Sequence, residues 1–219
     1  SDPPTSPSRY PLFEHTNVEA RLGRVTLGRW PTPVTELPQL AAALGARSVH
    51  GKRDDYSALP YGGGKARKLE LLLGHALRGG AKRVVTSGGV GSHHAVAPAI
   101  YAARVGLRAR LLLVPQPPTD EVSRVLRTSL RHGAELQLVG TMRGTRRVAQ
   151  QMAETSASEV IAAGGTSPLG NLAFVNAGLE LAAQVEAGEL PRPDVIVRAL
   201  GTMGSAVGLS LGLGRTDLG

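Results

Sequence analysis

The chain has 219 residues, 42% hydrophobic and 3% aromatic, with 28 glycines, no cysteine, and 25 Lys+Arg against 17 Asp+Glu, a formal net charge of +8. That length can bury the core of one large domain or two small ones, and the lack of cysteine excludes a disulfide scaffold, a Cys-ligated zinc site, an iron–sulfur cluster and thiol catalysis. No apolar run approaches the roughly 18 to 20 residues of a membrane span, and the basic residues are scattered (densest at Arg143, Arg146 and Arg147) with few aromatics to stack on bases, so neither membrane nor nucleic acid is an expected partner.

Residues 1 to about 20 are polar and Pro-rich and are predicted to form a loosely structured arm; without an apolar segment they carry no visible secretory signal, and a cytoplasmic location is expected. Further on, helical patterns alternate with short apolar runs. Helices are predicted over about 66–78, 94–105, 119–132, 143–155 and 170–187, each ending near Gly or Pro. The strands between and after them are 83–86 (RVVT), 108–114 (RARLLLV), 135–139 (ELQLV), 159–163 (EVIAA) and 194–200 (DVIVRAL). These runs lack polar alternation, as strands buried on both faces do. The succession predicts an α/β fold with a largely parallel sheet.

In such sheets ligands bind beyond the carboxyl ends of the strands. Three turns there are rich in small residues: 87–94 (SGGVGSHH), 164–171 (GGTSPLGN) and 201–205 (GTMGS). Small residues let backbone N–H groups approach an anion, and a following helix adds the positive end of its dipole. Any one of them could be plain turn chemistry; three in one sheet indicate a ligand crevice.

Several familiar motifs fail. Gly62-Gly63-Gly64-Lys65-Ala66 lacks the first glycine of a Walker A loop (position 59 is Leu) and has Ala66 where Ser or Thr must reach magnesium. The GTMGS turn lacks the second glycine of a dinucleotide-binding GxGxxG. The Ser in Gly89-Val90-Gly91-Ser92-His93 misses the spacing of a nucleophile elbow. Asp54-Asp55 has no second set of oxygen ligands nearby, and the adjacent His93 and His94 should diverge from a helix start, so no metal site is expected.

Of the 25 basic residues 21 are Arg, and the four lysines are Lys52, Lys65, Lys68 and Lys82. Lys65 follows three glycines and opens a helix. A primary amine there could form a Schiff base if its pKa were lowered, and Arg67, Lys68 and the helix N-terminus are expected to lower it. Spacing alone favours a solvated lysine at a helix start.

The stretches 26–45 (TLGRWPTPVTELPQLAAALG), 52–113 (with YGGGKARKLELLLGHAL and TSGGVGSHHAV), 164–181 (GGTSPLGNLAFVNAGLEL) and 201–213 (GTMGSAVGLSLGL) follow one another in an order that resembles the pyridoxal-phosphate-dependent 1-aminocyclopropane-1-carboxylate deaminase/D-cysteine desulfhydrase family. The resemblance implies a tryptophan-synthase-β-like fold (fold type II), a three-layer αβα architecture with parallel sheets. It implies a small domain over 66–165, set into a large domain built from 1–65 and 166–219 and incomplete at its C-terminal side. It also implies pyridoxal 5'-phosphate as cofactor and a lyase or hydrolase (deaminase) acting on a small amino acid, with a homodimer as the expected assembly.

Carried over residue by residue, Lys65 matches the lysine that holds the cofactor as an internal aldimine. Ser92 matches the catalytic serine near the substrate carboxylate. Gly201, Thr202, Met203, Gly204 and Ser205 match the phosphate loop. His93 falls where the cofactor ring is contacted, and Ser92, His93 and His94 form the substrate-facing turn. Three positions depart from the family: Gly64 and His93 replace Asn, and Gly91 replaces Gln. The departures motivate an alternative expectation, a catalytically inactive relative or fragment that binds a small anionic ligand or a partner chain. A sugar- or nucleotide-binding domain has fold-level support only. An open sheet ending at 194–200 is expected to leave an unpaired edge and exposed apolar surface.

Overall fold

The computed structural model describes residues 10–14 and 18–218. Two short helices, α1 (Pro11–Glu14) and α2 (Val18–Leu22), precede a small antiparallel pair, β1 (Val34–Glu36) and β2 (His50–Lys52), with α3 (Pro38–Leu44) between them. Next come α4 (Gly64–Arg78), β3 (Arg83–Gly89), α5 (His93–Arg104), β4 (Arg108–Val114), α6 (Asp120–Arg131), β5 (Glu135–Leu138), α7 (Met142–Thr155), β6 (Ser158–Ile161), α8 (Pro168–Glu186) and α9 (Gly204–Leu213). The last four strands form one parallel sheet in the order β5-β4-β3-β6.

Both faces of that sheet are covered, which explains the missing polar alternation. Val84, Leu111 and Leu113 face a large core shared with α4 and α5, whereas Val85 and Leu112 face α7 through Ala149, Val148 and Met152. Side-chain caps define the helix starts: Ser92, Thr119, Thr141 and Ser167 each accept an N–H three residues on, from Ala95, Val122, Gly144 and Gly170.

Outside the sheet, α8 is apolar on nearly all sides and lies between α4 and α9. Helix α9 approaches it through glycines. A Cβ at Gly208 would stand 2.3 Å from the Asn171 carbonyl oxygen, and one at Gly212 2.3 Å from that of Val175. Helix α4 packs on both α8 and α5, so its N-terminus, with Lys65, stands where the sheet and the α8–α9 pair meet.

Three expectations need correcting. Residues 87–89 are not a turn: β3 runs on to Gly89, paired with Val114. The run 194–200 forms no strand, because among the described residues no neighbour pairs with it; Val195 and Val197 are 76% and 91% exposed. The predicted arm is ordered where it is described. Tyr10 is buried, stacks on Phe13 and carries the Arg24 guanidinium 4.6 Å from its ring centre, and the Leu12 N–H donates to Asn176 on α8 at 2.9 Å. Residues 1–9 and 15–17 of that arm lie outside the described residues.

Candidate active site

Gly63, with φ of 100°, turns the chain into α4, and Lys65 and Lys68 follow on one face, a single turn apart. Lys65 is half-buried and makes no hydrogen bond or ion pair with the described residues. Burial pushes its pKa down, and Arg198 pushes it further. Arg67 and Lys68, both expected to contribute, do not, and the charge of Arg67 is taken up elsewhere. The guanidinium, 1% exposed, binds Asp54 at 2.7 Å and Glu180 on α8 at 2.7 Å, and lies 4.0 Å from the Trp30 ring centre. Lys52 completes this buried network through Glu180 and the Thr32 carbonyl. Asp54, weighed above as a metal ligand, is thus an anchor that fixes the start of α4 to the β2 region and α8.

Lys68 is buried and donates to the Gly164 carbonyl at 3.1 Å and to Thr166 Oγ1 at 3.5 Å. Its pKa is pushed down to about 8 by burial, by Lys65 and by Arg198. Thr166 Oγ1 in turn meets Thr202 Oγ1 at 2.6 Å, which joins the second small-residue turn to the third. Both glycines at this junction are required. Gly164 has φ of 70°, and a Cβ there would stand 2.5 Å from Thr202 Oγ1; a Cβ at Gly204 would stand 2.8 Å from Thr166 Cγ2. Met203, in the left-handed region with φ of 62°, sets the first turn of α9 at Gly204 and Ser205. The N-terminus of a ten-residue helix therefore opens beside Lys68, while Gly201 has free space where a side chain would be.

The third side comes from the turn before α5. Ser92 Oγ caps α5 by accepting the Ala95 N–H at 3.3 Å, which leaves its hydroxyl proton available to donate. His94 turns inward, its Nε2 2.9 Å from Thr86 Oγ1. Burial, Lys65 and Lys68 push its pKa down to about 4, so it is neutral at pH 7. His93 turns the other way: the Tyr61 hydroxyl contacts its Nδ1 and Glu121 lies 3.1 Å from its Nε2, in an exposed position. The two imidazoles diverge, and among the described residues no three His, Asp or Glu side chains are grouped to hold a metal ion.

Lys65, Lys68 and Arg198 thus gather around one space, with the guanidinium of Arg198 and the ammonium of Lys68 4.2 and 5.7 Å from the centre of the Phe174 ring. None of the three has a carboxylate partner among the described residues, so the site is built for an anion. A reactive amine beside a Gly/Thr-lined helix N-terminus fits a phosphorylated carbonyl compound. The model for the pyridoxal-phosphate-dependent enzymes matches residues 25–218.

The chain belongs to that family. It is 37% identical over 198 residues to a Pyrococcus horikoshii protein assigned provisionally as a 1-aminocyclopropane-1-carboxylate deaminase, covering 89% of this chain and 59% of that one. It is 37% identical over 206 residues to the nocardicin C-9' epimerase of Nocardia uniformis, covering 90% and 61%, and 32% identical over 203 residues to the D-cysteine desulfhydrase of Salmonella paratyphi B, covering 88% and 61%. The crystal structure of a homologue of the deaminase superposes with a TM-score of 0.78 at 37% identity, over 90% of this chain and 60% of that one. The fold is therefore the α/β fold of the type II pyridoxal-phosphate enzymes, and the chain spans about three fifths of the length of these relatives. No helix among the described residues is long and apolar enough to cross a membrane.

Sequence reasoning missed Phe174 and Arg198 as parts of the site; it placed Thr166 in the second small-residue turn and Lys68 beside Lys65 without giving either a ligand-binding role. Lys68 carried a usable signal, since a lysine three positions after Lys65 on a helix must share its face. Arg198 carried none, because its run was taken for a strand with both faces buried.

Proposed function

We propose that this protein is a lyase or deaminase of small amino acids that uses pyridoxal 5'-phosphate at Lys65. The observation that carries the proposal is the convergence of an unpaired, half-buried lysine with two turns joined through Thr166 and Thr202 at the start of α9. Lys65, Lys68, Thr202 and the N–H groups of the 201–205 loop would hold the cofactor, which when bound supplies an electron sink for carbanion chemistry at the substrate α-carbon.

The chain's own groups do the rest. Lys65 Nζ, held with a lowered pKa, accepts and returns the substrate proton. Ser92 donates its hydroxyl proton toward the substrate carboxylate, and the neutral His94 lines the same side without adding charge. His93, gripped at both nitrogens and stacked with the Tyr61 ring in an exposed position, is assigned contact with the cofactor ring as part of this proposal. The division into a small domain over 66–165 and a large one from 1–65 and 166–219 belongs to this proposal, as does a homodimer.

The relatives named above carry out deamination, desulfhydration and epimerisation by their names, so the test follows product release and also interconversion of the D- and L-forms. The protein is mixed with pyridoxal phosphate and with 1-aminocyclopropane-1-carboxylate or the D- and L-forms of cysteine, serine and alanine. Release of 2-oxo acid with ammonia, and with sulfide as well from cysteine, lost in Lys65→Ala, is the expected result. Cofactor binding without turnover of any of these compounds would favour an inactive relative that binds a small anionic ligand.

A further inference from the structure

Gly64 is where the resembled family has Asn, and the structure shows what occupies the vacated room. A Cβ at Gly64 would stand 2.7 Å from Phe174 Cζ and 3.5 Å from Arg198 Nη2. The Arg198 guanidinium, 4.2 Å from the Phe174 ring centre, therefore lies against the backbone just before Lys65. Phe174 is 1% exposed and fixed on α8, so it is a rigid platform for the planar fork, and stacking reduces the side-chain freedom that ligand binding must remove.

Arg198 has no hydrogen bond or ion pair among the described residues. Asp54, the acid whose charge acts on it, is bound to Arg67 at 2.7 Å. In the chain it stands three residues before Gly201, the first residue of the 201–205 loop. While Val197 next to it points into solvent, Arg198 turns toward Phe174.

We propose that Arg198 is a ligand-binding residue of this site, its stacked guanidinium binding anionic oxygens beside Lys65. Two groups have that chemistry, the phosphoryl group of the cofactor and the carboxylate of the amino acid. The choice of these two rests on the function proposed above. Arg198 suits either, because its fork donates two parallel hydrogen bonds to a phosphate or a carboxylate, which a lysine at the same place cannot do.

The test titrates the wild-type protein, Arg198→Gln and Arg198→Lys with inorganic phosphate in one arm and with glycine in the other, following ligand-induced shifts in the unfolding temperature. Far-UV circular dichroism without ligand checks that the variants fold. Arg198→Gln is expected to lose about tenfold or more in affinity for one probe, with Arg198→Lys intermediate. Loss in the phosphate arm assigns the cofactor's phosphoryl group; loss in the glycine arm assigns the substrate carboxylate. If Arg198→Gln does not fold, the smaller, intermediate loss is read from Arg198→Lys, which keeps the charge but not the fork. Variants that bind both probes as the wild type does, or a wild type that binds neither, overturn the proposal. Borohydride trapping of pyridoxal phosphate is scored separately. Failure of trapping on Lys65 with Arg198-dependent anion binding intact would refute the cofactor reading and leave this inference standing.

Discussion

At the residue scale the decisive contrast is between charges that are satisfied and charges that are not. Arg67, Asp54, Glu180 and Lys52 neutralise one another in the interior, and burial without partners is the reason such groups are otherwise rare there. Arg67→Ala leaves Glu180 and Asp54 without their main partner and is expected to destabilise the fold by about 3 kcal/mol or more, measured by urea unfolding. Glu180 is held below its usual carboxylate range by Arg67 and Lys52 against the opposing effect of burial. His94 predicts a pH dependence of its own. Its folded pKa of about 4 lies below that of the unfolded chain, so the unfolded state takes up the proton first as pH falls. Stability should therefore decline between about pH 6.5 and 4, by about 3 kcal/mol. Unfolding curves of His94→Gln should decline less between about pH 6.5 and 4, keeping only the acid-side loss from Glu180 and Asp54, and an identical decline in the variant would contradict the assignment.

At the element scale, most helices were legible because periodicity and caps coincide: Thr119 and Thr141 stand one residue before helices whose apolar positions repeat every three to four residues. The parallel strands were legible from uniform apolar runs, and Leu111, Leu112 and Leu113 show why, since successive side chains enter different cores. The run 194–200 has the same composition, yet composition cannot supply a hydrogen-bonding neighbour, and strand formation depends on one. The β1–β2 pair was illegible for a related reason: three-residue strands carry too little pattern. Of the site, Lys65, Ser92 and the 201–205 loop were legible as local motifs. The Thr166–Thr202 contact and the place of Arg198 against Phe174 depend on packing between distant segments, which no local motif encodes. Helix α9 packs closely on α8 at Gly208, so Gly208→Val should destabilise by about 2 kcal/mol. In the same variant inorganic phosphate should bind more weakly, whereas unchanged binding would show that α9 does not position the loop.

At the scale of the whole molecule, one helix, α4, joins the sheet to the α8–α9 pair and carries the reactive amine at its start. The expected exposed apolar surface is present: Val195, Val197 and Leu200 are mostly exposed, and Val207 and Leu211 on α9 are about half exposed. Such surface should bind an apolar fluorescent dye in the folded state, and Val197→Lys with Leu211→Lys should reduce the signal without loss of helicity. The central claim is that this architecture presents Lys65, among four lysines, to a phosphorylated carbonyl compound. Its most direct test is to reduce the protein with borohydride in the presence of pyridoxal phosphate and to locate the adduct by peptide mass spectrometry. The account predicts one adduct, on the peptide containing Lys65, absent in Lys65→Ala. An adduct on Lys52, Lys68 or Lys82 instead, or none with the cofactor in excess, would contradict it.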